Sequence, residues 1–584
     1  MFFRLVESLL IHIFNSGQRR RAEKRKAKPV VKVPLAPSPE HVVIGHVINE
    51  KQKPLDVIAR DLLERGVIAL TPKARRRHLY VLGATGTGKT NLLLRLIESD
   101  IQNKRAFCVI DLRGDLVDRI LLRIAHHAEQ NKSSEKGKQA AANEWAKRLL
   151  LLDLRHGEAV VGFNPLQGVA HSKQSGKATK SGGTSDSGDA YSRAMQMLEV
   201  LRSQSDSWGV QLEETLRNSL VALSETGWSL LEIEPLLTNA AFRAEVLSQI
   251  SDSHVQGFFE RFEKLSEANK LAWTMAVLNK VTPLLAIPQL RLMFGQRQGF
   301  SFRELLDNEP GMVILVSLAI DKLHHAAHLV GGLLVSNFQT AMMARVDQVE
   351  SERVPVFLYA DEFEMMATER FQEIVAEGRR FGVGLCLSHQ NLSQLSVGLR
   401  NVLRNNVHTQ IYFQTGAVDA SELAKEISGD TPKDEVRQTL MSQDVGEAYL
   451  IRRAQPSLRM KTLYSPDPIV DANVVAELCR ASRATYASTQ SAIEVELKAR
   501  EERLKGLENK PKASTAPVYE IRHAKTATFK PMNPSAKDEA ATNDEAATKP
   551  PRGDSANKPP KKPKARKPPS GDGSRSESGG ADDE

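Results

Sequence analysis

Eight consecutive residues, Gly83-Ala84-Thr85-Gly86-Thr87-Gly88-Lys89-Thr90, constrain this chain more than any other stretch. They fit G-x-x-x-x-G-K-[ST] and stand between an apolar strand, Leu79 to Leu82, and a helix predicted from Asn91 to Ile101. The spelling follows from geometry. Glycines let the backbone turn tightly enough for its N–H groups to converge on phosphate oxygens, and the helix that follows adds its positive dipole end. Lys89 is placed to reach β- and γ-phosphates, and Thr90 to offer its hydroxyl to Mg²⁺. ATP and Mg²⁺ are the ligands this loop predicts, with Gly83, Ala84, Thr85, Gly86, Thr87, Gly88, Lys89 and Thr90 as the cradle.

Such a loop needs an acidic strand end to complete it. Val356-Phe357-Leu358-Tyr359-Ala360-Asp361-Glu362 supplies one: five apolar residues run into two acids. Asp361 is expected in the Mg²⁺ shell together with Thr90, and Glu362 as the base that polarises the attacking water. Asp111 ends another apolar strand, Ala106 to Asp111, but no glutamate follows it, so a supporting role is expected. Downstream, Val383-Gly384-Leu385-Cys386-Leu387-Ser388-His389-Gln390 turns abruptly polar. Gln390 there suits a sensor of the γ-phosphate; the alternative is an amide that caps a turn. Between the two strands lies Glu377-Gly378-Arg379-Arg380-Phe381. Arg379 either complements a helix dipole or reaches a neighbouring subunit's nucleotide as an arginine finger.

Strands and helices alternate around these motifs without hairpin turns, which predicts an α/β fold built on a mainly parallel sheet. Further strands are expected at Leu149 to Asp153, Met312 to Leu318, Gln410 to Phe413 and Ala448 to Ile451. The reading divides the chain into an amphipathic helix and basic segment (1–35), a first part of the core (36–166), a flexible linker (167–190) and an all-α insertion (191–300). A second part of the core (301–480), a charged C-terminal helix (481–510) and a basic, proline-rich tail (511–584) follow. The tail has too little apolar content to offset its ordering entropy and is expected to be disordered.

With 584 residues, 41% of them hydrophobic and 26% charged, the composition is that of a soluble globular protein. The net charge of +9 suits a polyanionic partner, although much of the excess sits at the two ends. Three separate cysteines, Cys108, Cys386 and Cys479, argue against a disulfide framework or a zinc site. No run approaches the roughly 20 apolar residues that span a bilayer. Phe2, Leu5, Val6, Leu9 and Ile13 share one helical stripe, and a basic cluster from Arg19 to Lys28 follows it. That order is not a signal peptide's; it fits a helix lying on an anionic membrane surface or a membrane partner, or else one packed on its own domain.

Taken together, the P-loop, Val109-Ile110-Asp111-Leu112-Arg113-Gly114-Asp115, Phe163-Asn164-Pro165-Leu166, Tyr359-Ala360-Asp361-Glu362-Phe363, Ala376-Glu377-Gly378-Arg379-Arg380-Phe381-Gly382, Ser388-His389-Gln390 and Asn405 form an ordered series. This series resembles the FtsK–HerA superfamily of hexameric DNA-pumping ATPases, and within it the type IV secretion coupling proteins of conjugation, over roughly residues 42 to 465. The resemblance implies a RecA-like core, a six-membered ring with ATP between subunits and DNA in its channel. It also implies Arg379 as a finger in trans and Gln390 as the sensor. Relaxosome or other secretion-system proteins become expected partners. Coupling proteins usually begin with transmembrane helices, and the short amphipathic one here departs from that pattern. A cytoplasmic protein, touching the inner face of the membrane through residues 1–28 if at all, is therefore expected. A HerA-like DNA-processing motor and an ATP-controlled platform that recruits protein substrates stay open as alternatives. Arg400 and Arg404 are expected on a solvated helix face.

Overall fold

The computed structural model describes residues 40–508, apart from 49–61, 64–66, 131–143, 146, 169–184, 206, 308–310, 368–370, 428–430 and 454. The N-terminal amphipathic segment and the tail from 511 onward lie outside the described residues.

Among the described residues the strands up to residue 462 are β1 (Val42–Val47), β2 (Leu62–Leu63), β3 (Val67–Leu70), β4 (Leu79–Leu82), β5 (Ala106–Asp111), β6 (Leu149–Asp153), β7 (Ala159–Val161), β8 (Val313–Ser317), β9 (Val356–Asp361), β10 (Val383–His389), β11 (Thr409–Tyr412), β12 (Glu447–Arg452) and β13 (Leu458–Thr462). All but β7 join one sheet in the order β2-β3-β1-β13-β12-β11-β4-β10-β9-β5-β8-β6. From β11 to β6 every pairing is parallel. These strands are apolar nearly throughout, as strands covered on both faces must be. Helices Lys89–Gln102 and Asp115–Gln130 pack on one face, where Leu92, Leu93, Leu96, Ile97, Ile120 and Ile124 join the buried side chains of β4, β5 and β11.

The other half of the sheet is antiparallel, through β12, β13, β1, β3 and β2. The apolar-run reading placed β12 but not β13. Its sequence, Leu-Arg-Met-Lys-Thr, is charged at every second position, with Met460 inward and Lys461 outward. A half-exposed strand of this kind carries no continuous apolar signal. The remaining expected strands and the helix after the P-loop form within two residues of their predicted bounds.

Between β7 and β8 the chain is helical, chiefly Ser185–Ser203, Val210–Thr226, Ser253–Glu263, Glu267–Leu285 and Pro288–Gly295. The linker expected over 167–190 is shorter than its composition suggested. Helix begins at Ser185, because buried Ala190, Ala194, Met197, Leu198 and Leu201 recur at helical spacing along it. Phe258, Phe259, Phe262 and Trp273 stack together, and their cluster is continuous with the core under the second face of the sheet. Two later elements tie these helices to the core. Strand Ala487–Thr489 pairs with β7, and helix Gln490–Glu508 sets Arg500 against Glu232 at 3.1 Å and Arg503 against Glu245 at 2.5 Å. Among the described residues no single helix is long and apolar enough to cross a membrane. The bent pair Glu267–Leu285 and Pro288–Gly295 meets that test only jointly, across a 105° bend.

Candidate functional site

In a parallel sheet the loops that leave the carboxyl ends of the strands gather at one edge. Here β4, β10, β9 and β5 deliver the P-loop, Gln390, Asp361-Glu362 and Asp111 to that edge. The register sets β4 beside β10, with His389 opposite Leu82, and β10 beside β9, with Ser388 opposite Asp361. Residues 83–90, 361, 362 and 390 thus belong to one site.

The P-loop is braced on two sides. Gly83 donates to the His389 carbonyl at 3.3 Å, and Ala84 to that of Gln414 at 2.8 Å. Gly446 donates to the Thr87 carbonyl at 2.8 Å. A side chain at Gly83 would meet Phe413 at 2.6 Å, and Gly88 has a φ of 118°, so these two glycines are required by contact and by conformation. Lys89 is buried, and its Nζ donates to the carbonyls of Gly83 at 2.7 Å and Ala84 at 3.0 Å. The ammonium is thereby curled over the turn that a phosphate would enter.

Thr90 Oγ1 lies 3.3 Å from Asp361 Oδ2, and Ser388 Oγ donates to Asp361 Oδ1. Burial pushes the Asp361 carboxyl above the usual range, against the pull of Ser388 and Lys89. Thr90 and Asp361 would hold a divalent cation: two oxygen ligands face each other, and the carboxylate is one whose burial a cation would offset. Glu362 follows in a left-handed conformation, φ 52°, that non-glycine residues seldom adopt. Its Oε1 accepts from Gln390 Nε2 at 2.9 Å, and Gln390 Oε1 accepts from Thr85 Oγ1 at 3.1 Å. A hydrogen-bonded line therefore runs from the P-loop through Gln390 to Glu362. The turn after β10 is closed by Asn391, whose N–H donates to Gln394 at 2.9 Å, so Gln390 is not its capping amide.

Asp111 serves a different purpose. Its carboxylate accepts from the backbone of Arg113 at 3.0 Å, Leu116 at 2.8 Å and Val117 at 3.1 Å, which caps the helix beginning at Asp115. Arg379 is also set apart from the phosphate cradle. It is exposed on the turn Gly378–Phe381, which precedes β10, whereas the P-loop follows β4 at the strands' other end. Seven strand residues at about 3.3 Å each separate the two edges by roughly 20 Å. The helix Val397–Asn406 does not present Arg400 and Arg404 as a fully solvated face: both are half-buried and paired with Glu422 on the adjacent helix, at 3.6 and 2.5 Å.

Sequence reasoning missed Ser388 as the partner of Asp361, since a serine in an apolar strand carries no signal of what lies opposite. It also missed Glu364. Burial, together with the Glu362 and Asp361 charges, raises the Glu364 carboxyl to about 7, and its Oε2 is buried without a hydrogen bond. His389 is buried too, with its Nε2 2.5 Å from the Tyr80 hydroxyl and its pKa lowered to about 3 by desolvation and the Lys89 charge.

A parallel sheet with a P-loop at the carboxyl end of one strand and an Asp-Glu pair two strands away defines a RecA-like P-loop α/β protein. The chain belongs to the family described as the type IV secretion-system coupling protein DNA-binding domain, whose model matches residues 62–123 and 184–462, more than half of its length. No curated protein sequence matches the chain. Among solved structures, the plasmid coupling protein TrwB in complex with ADP and Mg²⁺ is similar at 16% identity, over 73% of this chain and 95% of that one, with a TM-score of 0.47. VirB4 of Thermoanaerobacter pseudethanolicus is similar at 13% identity, over 73% and 96% of the two chains, with a TM-score of 0.45. These overlaps are loose, and the family assignment rests on the sequence match.

Proposed function

We propose that this protein is an ATP-hydrolysing motor of the coupling-protein kind that moves DNA through a ring of six subunits during conjugative transfer. The observation that carries this reading is the hydrogen-bonded line from Thr85 through Gln390 to Glu362, laid across a P-loop whose Lys89 and Thr90 face Asp361. On this reading residues 83–90 hold the triphosphate, and Lys89 leaves its two carbonyls for phosphate oxygens. Thr90 and Asp361 would hold Mg²⁺, which would neutralise charge on the phosphate oxygens. Glu362 takes the proton of the attacking water, and Gln390 keeps its carboxylate aimed while its own amide responds to the γ-phosphate. Arg379 stands too far from its own subunit's P-loop to help there, so it acts on a neighbour's site. Membership in a family of DNA-binding domains supports DNA as the cargo, and the basic ends of the chain support contact with a polyanion. Relaxosome proteins and a membrane surface reached through residues 1–28 are further proposed contacts.

The direct test is ATP turnover of the full chain with and without single- and double-stranded DNA. Stimulation by either supports the motor. Turnover indifferent to both, with protein substrates retained on the chain, favours the recruitment platform instead.

A further inference from the structure

His78 immediately precedes β4 and occupies the left-handed region, φ 68°, with its side chain buried. A β-region residue would have extended the strand by one; the turn instead swings the imidazole toward β10. Its Nδ1 accepts the backbone N–H of Leu385 at 3.0 Å, so the ring replaces the ladder carbonyl that β4 would otherwise have offered there. That bond leaves the proton on Nε2. On the ring's other side are the Val375 carbonyl, in the last turns of helix Phe371–Glu377, and Gly378, where an added Cβ would stand 3.5 Å from Cε1. Arg379 comes next in the chain. Burial and the nearby Arg379 charge hold the imidazole neutral, with its pKa lowered to about 4. The ring is thus wedged among three things: the start of the P-loop strand, the backbone of β10 and the turn that carries the arginines. Lys73, Arg76, Arg379 and Arg380 are exposed in these same two turns, beside Arg77.

We infer that His78 is a positioning residue for Arg379, tying the P-loop strand of one subunit to the arginine that the same subunit lends to its neighbour. The inference rests on the reading of Arg379 as a finger in trans. Strained backbone at a non-glycine residue persists only where the surroundings hold it, and here the ring is held between the Leu385 N–H of β10 and the Val375–Gly378 backbone that leads into the arginine turn. A shift at the P-loop end of the four-residue β4 would pass through the ring to Arg379, so the occupancy of one site would bear on the chemistry of the next.

The test uses His78→Gly, which removes the ring and tolerates the positive φ, and His78→Asn, which tolerates the same φ and keeps a shortened acceptor for Leu385. Both should keep the wild-type melting temperature within a few degrees and bind a non-hydrolysable ATP analogue as the wild type does. Turnover should fall by roughly 10- to 100-fold in the glycine variant, since displacing a catalytic group by about an ångström costs this much, and by less in the asparagine variant. The deciding measurement mixes subunits. Lys89→Ala protein, dead in its own P-loop, still offers an intact finger, so mixing it with His78→Gly protein should restore turnover, as should mixing it with Arg379→Ala protein. A ring that merely stabilised β4 would damage the variant's own P-loop, and no mixing would restore it. Recovery with Arg379→Ala but not with His78→Gly overturns the assignment of His78 alone. Recovery with neither removes the shared finger, and this inference with it. Unchanged turnover in His78→Gly also overturns it.

Discussion

At the carboxyl edge of the sheet, Asp361, Glu362 and Glu364 crowd around Lys89, and Ser388, Gln390, Thr85 and Thr90 supply hydrogen bonds among them. At the amino edge the excess is cationic. Lys73, Arg76, Arg379 and Arg380 are exposed, and the Arg379 guanidinium has no hydrogen-bond or ion-pair partner among the described residues. The first edge is a constellation held rigid from within one chain. The second is a turn that leaves its charged side chains exposed. Carboxylates and hydrogen-bond donors around a P-loop suit nucleotide binding and activation of water, whereas an arginine offered in position to another site suits charge that develops only in the transition state. The length of a strand separates the two edges.

Glu362 and Arg379 carry the largest expected effects at the two edges. Glu362→Gln should keep nucleotide binding and lose on the order of 10²- to 10⁴-fold in turnover, the usual worth of a positioned base; Lys89→Ala should lose nucleotide affinity itself. Wild-type turnover in Glu362→Gln, measured by phosphate release, would remove Glu362 from the role of base. Arg379→Ala should bind ATP normally and turn over about 10³-fold more slowly. Arg380→Ala, measured in parallel, should lose far less, and equal losses would blur the assignment to one arginine.

Under the amino edge the buried acid Asp100 accepts from Arg75 at 2.6 and 2.7 Å and from Tyr359 at 2.5 Å, while Arg75 also lies 4.0 Å over the Phe357 ring. Asp100→Ala leaves Arg75 buried without its counter-charge and should cost roughly 3–5 kcal/mol in denaturant unfolding. A cost below about 1 kcal/mol would mean that the cluster is not what fixes helix Lys89–Gln102 to the arginine-bearing side.

Glu364 sharpens the carboxyl edge. Its folded pKa of about 7 stands above the unfolded value of 4.5, so between these pH values the folded state binds the extra proton. Stability from this group is present below pH 4.5 and is lost as pH rises through about 7. Glu364→Gln should therefore melt higher than wild type at pH 8, by an amount that shrinks toward pH 5. A difference independent of pH would show that the carboxyl does not titrate in this range.

The smallest expected effect is that of removing residues 511–584, which should leave melting temperature and basal ATP turnover unchanged because so little apolar area is lost. Affinity for DNA should fall, and with it part of the salt dependence. A melting temperature lowered by several degrees would show that these residues help hold the core.

The sequence by itself determined the P-loop, the acidic strand end at Asp361-Glu362, the polar end of β10 and the parallel part of the sheet. Each is written locally, as an apolar run followed by residues whose chemistry or φ the turn demands. Tertiary structure decided what these ends do to one another. Ser388 meets Asp361, and Thr85 meets Gln390, only through the order of strands in the sheet, which no single strand encodes. Asp111 reads like Asp361 in sequence, yet it spends its oxygens on three backbone amides because a helix begins just after it. The half-exposed strand Leu458–Thr462, and the separation of Arg379 from its own P-loop, likewise follow from pairing and direction. Local chemistry fixes what a segment can become, and the long-range packing of strand against strand fixes which of its neighbours it meets.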